Sequence, residues 1–214
     1  MNLRRRTLML ALGLAPLGAL AQARQPARGV DYTELSPTQP VETQGKIEVI
    51  EFFWYGCPHC YTLEPLLEKW APTLPADVQF RRVPAVLNPN WGADAVVFYA
   101  FEALGALGRL HRPFFDALHR DRLKSRDAAA MNEWLQKNGV DVKKYDEAAK
   151  SFGVQSKVRR ATHLSSAYRI DGTPALAVHG RYTVSAEQGR TQQGMLAIAD
   201  HLIGVARKGG LAGK

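Results

Sequence analysis

Ile50-Glu51-Phe52-Phe53-Trp54-Tyr55-Gly56-Cys57-Pro58-His59-Cys60-Tyr61 is the stretch that decides how this chain of 214 residues folds. Upstream of the cysteines, Lys46 to Tyr55 is a near-continuous apolar and aromatic run. Such a run predicts a strand covered on both faces. From Pro58 the period changes: Leu63, Leu66, Leu67 and Trp70 recur at helical spacing until Pro72 stops them. Strand, tight turn and helix in succession place Cys57 and Cys60 at the N-terminus of that helix.

A CxxC pair has three plausible uses. As a structural staple it closes so short a loop that it removes little unfolded-chain entropy. As a zinc half-site it needs ligands from elsewhere, and the chain has no further cysteine. Redox chemistry needs this pair alone, provided one sulfur is held as thiolate. A helix N-terminus offers unpaired N–H donors and the positive end of the macrodipole, which favour a thiolate at Cys57. Pro58 falls at the first helical position, where its missing N–H costs nothing. His59 can add positive charge or donate to a sulfur. Cys57 is then the attacking residue and Cys60, one turn in, the resolving one. A stabilised thiolate favours the reduced form and makes the disulfide a strong oxidant.

Two further features draw notice. Glu51, inside the apolar run, is costly to bury unless paired or protonated, and could exchange a proton with Cys60. The alternative is a strand edge facing solvent, the reading given to Glu48. In Gly172-Thr173-Pro174-Ala175, a proline at a strand mouth invites a cis bond, although an ordinary trans proline fits the sequence as well. His111, His119, His163, His179 and His201 have no ligand spacing and read as surface or packing residues. Trp91, Phe98 and Tyr99 read as helical core rather than a cofactor box. Neither a metal site nor a bound cofactor is expected.

Outward from this centre, Met1 to Ala23 reads as a secretory signal. Arg4 to Arg6 are its positive region, Leu8 to Leu20 its uncharged apolar stretch, and Ala21 and Ala23 candidate cleavage points. Residues 24–45 form a Pro- and Thr-rich arm with a short strand at Tyr32 to Leu35. After the central helix come a strand at Val78 to Val83 and a long stretch without strands. Helices are expected there at Ala93 to Leu107, Pro113 to His119, Ser125 to Asn138, Val142 to Ser151 and Val154 to Tyr168. Ser125 is the expected N-cap and Gly139 the C-cap of the third. Two strands, Ala175 to Val178 and Arg181 to Val184, and a last helix carrying Met195, Ala199, Leu202 and Ala206 close the chain. The pattern predicts one α/β unit, residues 46–90 and 169–210, interrupted by a helical insertion at 91–168.

The net charge is +8, and three of those charges are Arg4, Arg5 and Arg6. The remaining surplus is scattered, Arg81-Arg82 and Arg159-Arg160 being only pairs. No basic stripe interleaved with aromatics indicates nucleic acid. With 46% hydrophobic and 22% charged residues, the composition excludes disordered and collagen-like classes.

The segment Glu51 to Tyr61 with its leucine-rich helix, the late Gly172-Thr173-Pro174-Ala175, the strand pair that includes Tyr182 and the helical insertion together resemble the DsbA family of Gram-negative bacteria. That resemblance implies a thioredoxin fold with an inserted all-helical domain and a periplasmic location. It also implies donation of a disulfide to cysteines of reduced, unfolded, newly exported polypeptides, and reoxidation by a quinone-linked membrane partner of DsbB type. It assigns Cys57 as nucleophile, Cys60 as resolving thiol and His59 as stabiliser of the Cys57 thiolate. It places Thr173 and Pro174 in a cis-proline loop that binds substrate backbone. Thr173 departs from the valine of many relatives, and threonine is also seen in isomerase-type ones.

The alternatives are a disulfide isomerase or reductase of the same superfamily, and a peptide-binding holdase that does not use its thiols. Isomerases that resemble this family carry an N-terminal dimerisation domain. Between Arg24 and Ile47 there is room only for a short arm, which favours a monomer.

Overall fold

The structure is a computed structural model and describes residues 24–209. The signal reading of 1–23, with its cleavage points, lies outside the described residues. Five strands form one sheet: β1 (Thr33–Glu34), β2 (Ile47–Phe53), β3 (Val78–Pro84), β4 (Ala175–Val178) and β5 (Tyr182–Ser185). Their order is β1-β5-β4-β2-β3. Only the β2–β3 pair is parallel, and α1 (Pro58–Trp70) makes the crossover between them. β4 pairs antiparallel with both β2 and β5, the second through the tight turn at His179-Gly180.

Five helices stand between β3 and β4: α2 (Pro89–Ala103), α3 (Leu107–His119), α4 (Ala128–Lys137), α5 (Val142–Lys150) and α6 (Phe152–Ala167). After β5 come a single turn, α7 (Ala186–Gly189), and α8 (Gln192–Lys208).

β2 is buried at all seven positions, as its uninterrupted apolar character requires. Alternate residues serve two cores. Ile47 and Val49 meet Leu63 and Leu67 of α1 and Met195, Ala199 and Leu202 of α8. Ile50 and Phe52 join the aromatic core formed with α2, α3 and α6, which contains Phe98, Phe101, Phe114 and Tyr168. The pleat therefore sends Glu51 towards α1 and Glu48 towards the helical block.

Several local expectations need correction. Glu48 is not at a solvent-facing edge. It is buried, with Arg81 Nε donating to Oε2 at 2.9 Å, because β2 lies inside the sheet with both faces covered. α2 begins four residues earlier than expected: Asn88 caps it by accepting from the Asn90 N–H, and Pro89 takes the first helical position. α3 also starts early and runs through Pro113. Ser125 is not the N-cap of α4; Asp127 is, its carboxylate accepting from the Ala129 and Ala130 N–H groups. Gly139, at φ +67°, follows that helix in the left-handed conformation a C-terminal stop requires.

Candidate redox site

Cys57 is the N-cap residue of α1, in extended conformation, and Pro58 opens the first turn. Its own N–H donates to the Trp54 carbonyl at 3.0 Å, which closes the turn between β2 and α1. Gly56 is required inside that turn, because a Cβ there would lie 2.3 Å from the Trp54 indole. The indole is itself fixed: Nε1 donates to Asp94 at 2.6 Å and the ring stacks on Trp91 with centroids 4.3 Å apart. On the other flank, His119 stacks on Tyr61 and its Nε2 lies 2.8 Å from the Tyr55 carbonyl oxygen. The turn is thus clamped between α2 and α3.

Both cysteines are free thiols, and they are unequal. The Cys57 thiol is lowered from 9.0 to about 5. Hydrogen bonding with the Cys60 thiol is the largest cause. Burial opposes it, and the Thr173 side chain and the N–H groups of Cys60 and His59 assist. Cys60 has no exposed surface and its thiol is pushed well above 9.0, first by burial and then by Cys57 itself. One sulfur is therefore a thiolate at neutral pH and the other a protonated thiol.

Thr173 faces the pair from 116 residues away in sequence. Its carbonyl oxygen lies 3.2 Å from Cys57 Sγ and accepts from the thiol when that is protonated. The Thr173–Pro174 peptide bond is cis. His59 is exposed, its backbone N–H facing the Cys57 sulfur, and its ring makes no hydrogen bond among the described residues.

Beneath the cysteines lies a buried ionic cluster. Glu51 has no exposed surface; Arg82 Nε approaches its Oε2 at 3.1 Å, yet neither oxygen has a hydrogen-bond partner. Its carboxyl is raised to about 8, by burial first and then by the neighbouring Glu64, against the pull of Arg82. Glu64, on α1, is buried and accepts a short hydrogen bond from Arg82 Nη2. Burial works to raise it, but the His111 ring and Arg82 outweigh that and hold it below the ordinary carboxylate range.

Sequence reasoning found Glu51 and missed Glu64, Arg82 and His111. A signal for Glu64 existed: Cys60, Leu63, Glu64 and Leu67 share one face of α1, so position 64 falls within the apolar stripe. Arg82 and His111 carried none, since they arrive from β3 and α3. Among the described residues, no group of three or more His, Cys, Asp or Glu side chains is placed to hold a metal ion. No helix among them is long and apolar enough to cross a membrane.

Comparison with known proteins agrees with this geometry. Residues 67–197 match the family model for the DSBA-like thioredoxin domain. A thiol:disulfide interchange protein DsbA of Bordetella parapertussis is 42% identical over 202 residues, covering 94% of this chain and 96% of the relative. That of Azotobacter vinelandii is 40% identical over 193 residues, covering 89% and 90%. Among solved structures, a Pseudomonas aeruginosa DsbA variant superposes with a TM-score of 0.82 at 36% identity, over 85% of this chain and 98% of the other. DsbA from Xylella fastidiosa superposes at 0.80 with 30% identity, over 86% and 100%.

Proposed function

This chain belongs to the DsbA family of thiol:disulfide oxidoreductases with a thioredoxin-like fold, and from that membership we propose that it is a periplasmic dithiol oxidase acting on reduced, newly exported polypeptides. The observation that carries the reading is the inequality of the two sulfurs: Cys57 lowered to about 5 and Cys60 raised beyond 9.0. A low-pKa thiol stabilises the reduced protein and is a good leaving group, so the Cys57–Cys60 disulfide is readily given away.

The reaction begins when a client thiolate attacks Cys57 Sγ. The Cys57–Cys60 bond breaks and its electron pair leaves on Cys60 Sγ. Buried Cys60 cannot remain charged, so it takes a proton, and Glu51 is the group poised to supply it. A second client thiolate then attacks the client sulfur of the mixed disulfide and expels Cys57 as thiolate. The client has lost two electrons and gained a disulfide; the enzyme holds the dithiol. A DsbB-type membrane partner restores the disulfide. In these steps Thr173 and Pro174 line the client's approach to Cys57. Pro58 and His59 shape and support the thiolate, and the chain works as a monomer without a bound cofactor.

Equilibration with reduced and oxidised glutathione, followed by trapping of free thiols, tests this reading. A disulfide far more oxidising than the glutathione pair supports a donor. A potential near that of thioredoxin would show a reductase instead. The Cys57→Ser, Cys60→Ser double variant, assayed for client oxidation and for suppression of client aggregation, separates the enzyme from a holdase.

A further inference from the structure

Behind the cysteines, two carboxylates share one guanidinium. Arg82 reaches Glu51 with Nε and Glu64 with Nη2, and both carboxylates are buried. Two negative charges against one positive leave an excess that a buried site relieves by binding a proton. Hydrogen bonding decides which carboxylate takes it.

Glu51 has no donor on either oxygen. Glu64 accepts from Arg82 Nη2 on Oε1; its Oε2 and His111 Nε2 have no hydrogen-bond partner and face one another at 3.5 Å. The opposite ring nitrogen, Nδ1, lies 2.8 Å from the Tyr55 hydroxyl. That phenol is buried and its pKa is driven well above 10.0, so it holds its proton and donates. Nδ1 must then accept, and a neutral imidazole carries its only proton on Nε2, facing Glu64. Phe53, Phe98 and Phe115 pack edge-on around the ring, where a second proton would be expensive.

We propose that His111 is a positioning residue: held by Tyr55 in the Nε2–H tautomer, it keeps Glu64 ionised and so leaves the exchangeable proton of the pair on Glu51, beside Cys60. The inference rests on the reading of Glu51 as the proton partner of Cys60. When the disulfide opens, the proton leaves the Glu51 carboxyl for Cys60 Sγ, and the new carboxylate, facing Arg82, is reprotonated from solvent below about pH 8; reoxidation runs both steps in reverse. The groups acting on Glu51 are Cys57 at the N-cap of α1, Glu64 on α1 and Arg82 from β3, while β4 presents only Leu176 opposite it. Those acting on His111 are Glu64 and Glu68 of α1 and Arg82 of β3.

The test is a pH titration of the reduced protein labelled with 13C at the glutamate carboxyl, with Glu51→Gln and Glu64→Gln used to assign the two resonances. In the unsubstituted protein, Glu64 stays ionised across the neutral range while Glu51 titrates near 8. In His111→Phe, the Glu64 midpoint rises and that of Glu51 falls, each by about one unit. Tyr55→Phe keeps the imidazole but releases its tautomer, and shifts both midpoints in the same directions by less. If His111→Phe does not fold, Tyr55→Phe decides alone. Midpoints that stay in place in the folded variants would overturn the inference and reduce His111 to packing. An unsubstituted Glu51 that titrates as an ordinary carboxylate would instead overturn its assignment as proton partner, which separates the two failures.

Discussion

Arg82 of β3 stands opposite Glu51 of β2 in the parallel register, and the same guanidinium bridges to Glu64 on α1. The redox turn therefore sits on a buried ionic layer as well as on an apolar core, and its two sulfurs differ in consequence.

The first expectation concerns pH. Alkylation of Cys57 in the reduced protein should follow a midpoint near 5, with Cys60 unmodified until the protein unfolds. Above that pH, reduction takes up one proton for two electrons, because only Cys60 is protonated. The potential should fall by about 30 mV per pH unit there, and by about twice that in more acidic solution. The steeper slope persisting through pH 6–8 would show that Cys57 remains a thiol.

Thr173→Val removes one of the groups that lower Cys57 while keeping the side chain's shape. The Cys57 midpoint should rise by up to about one unit, with Cys60 unchanged. Absorbance of the thiolate against pH measures it. An unmoved midpoint would mean that the Cys60 interaction and the helix terminus suffice.

Glu51 is protonated more readily in the folded protein than in the unfolded chain, its carboxyl being raised from 4.5 to about 8. Its contribution to stability is thus fully present below 4.5 and is lost as pH rises through 8. Cys57 acts in the opposite sense: its lowered thiol adds stability as pH rises from about 5 to 9.0, so the reduced protein masks the effect. In the oxidised protein, where Cys57 does not titrate, Glu51→Gln should flatten the loss of stability between pH 5 and 8. Denaturant midpoints at several pH values measure this, and parallel curves for the two proteins would contradict it.

Arg82→Leu leaves Glu51 and Glu64 buried without their cation and should cost about 3–5 kcal/mol. Arg82→Leu combined with Glu64→Leu should cost much less, because the surplus carboxylate goes with it. Chemical denaturation of the single and double variants gives the coupling directly. Equal losses in both would show that the ions contribute nothing as a group.

How far the sequence carried can be seen at particular residues. The strand, turn and helix around Cys57 were legible because three local signals coincide: the apolar run, the proline at the first helical position and the change of period. Glu51 was legible as a charge where none should be. Glu48 was misread, because nothing local distinguishes an edge strand from an interior one. Arg81 and Arg82 read as one pair in a scattered basic surplus, and became counter-ions only when β3 paired beside β2 in the observed register. His111 resembled any packing histidine until α3 folded back to bring it against Glu64, 47 positions earlier in the chain. What escaped the sequence reading is contact between distant residues. What it caught is local backbone chemistry.

One end of the sheet carries a further consequence: it is β1, only two residues long. Under the proposed function, unfolded chains are this protein's daily company, and many carry stretches eager to align beside any open strand. So short a border gives such guests little to hydrogen-bond along. A visiting chain can surrender its electrons at Cys57 and leave, rather than being knitted into its host as a sixth strand.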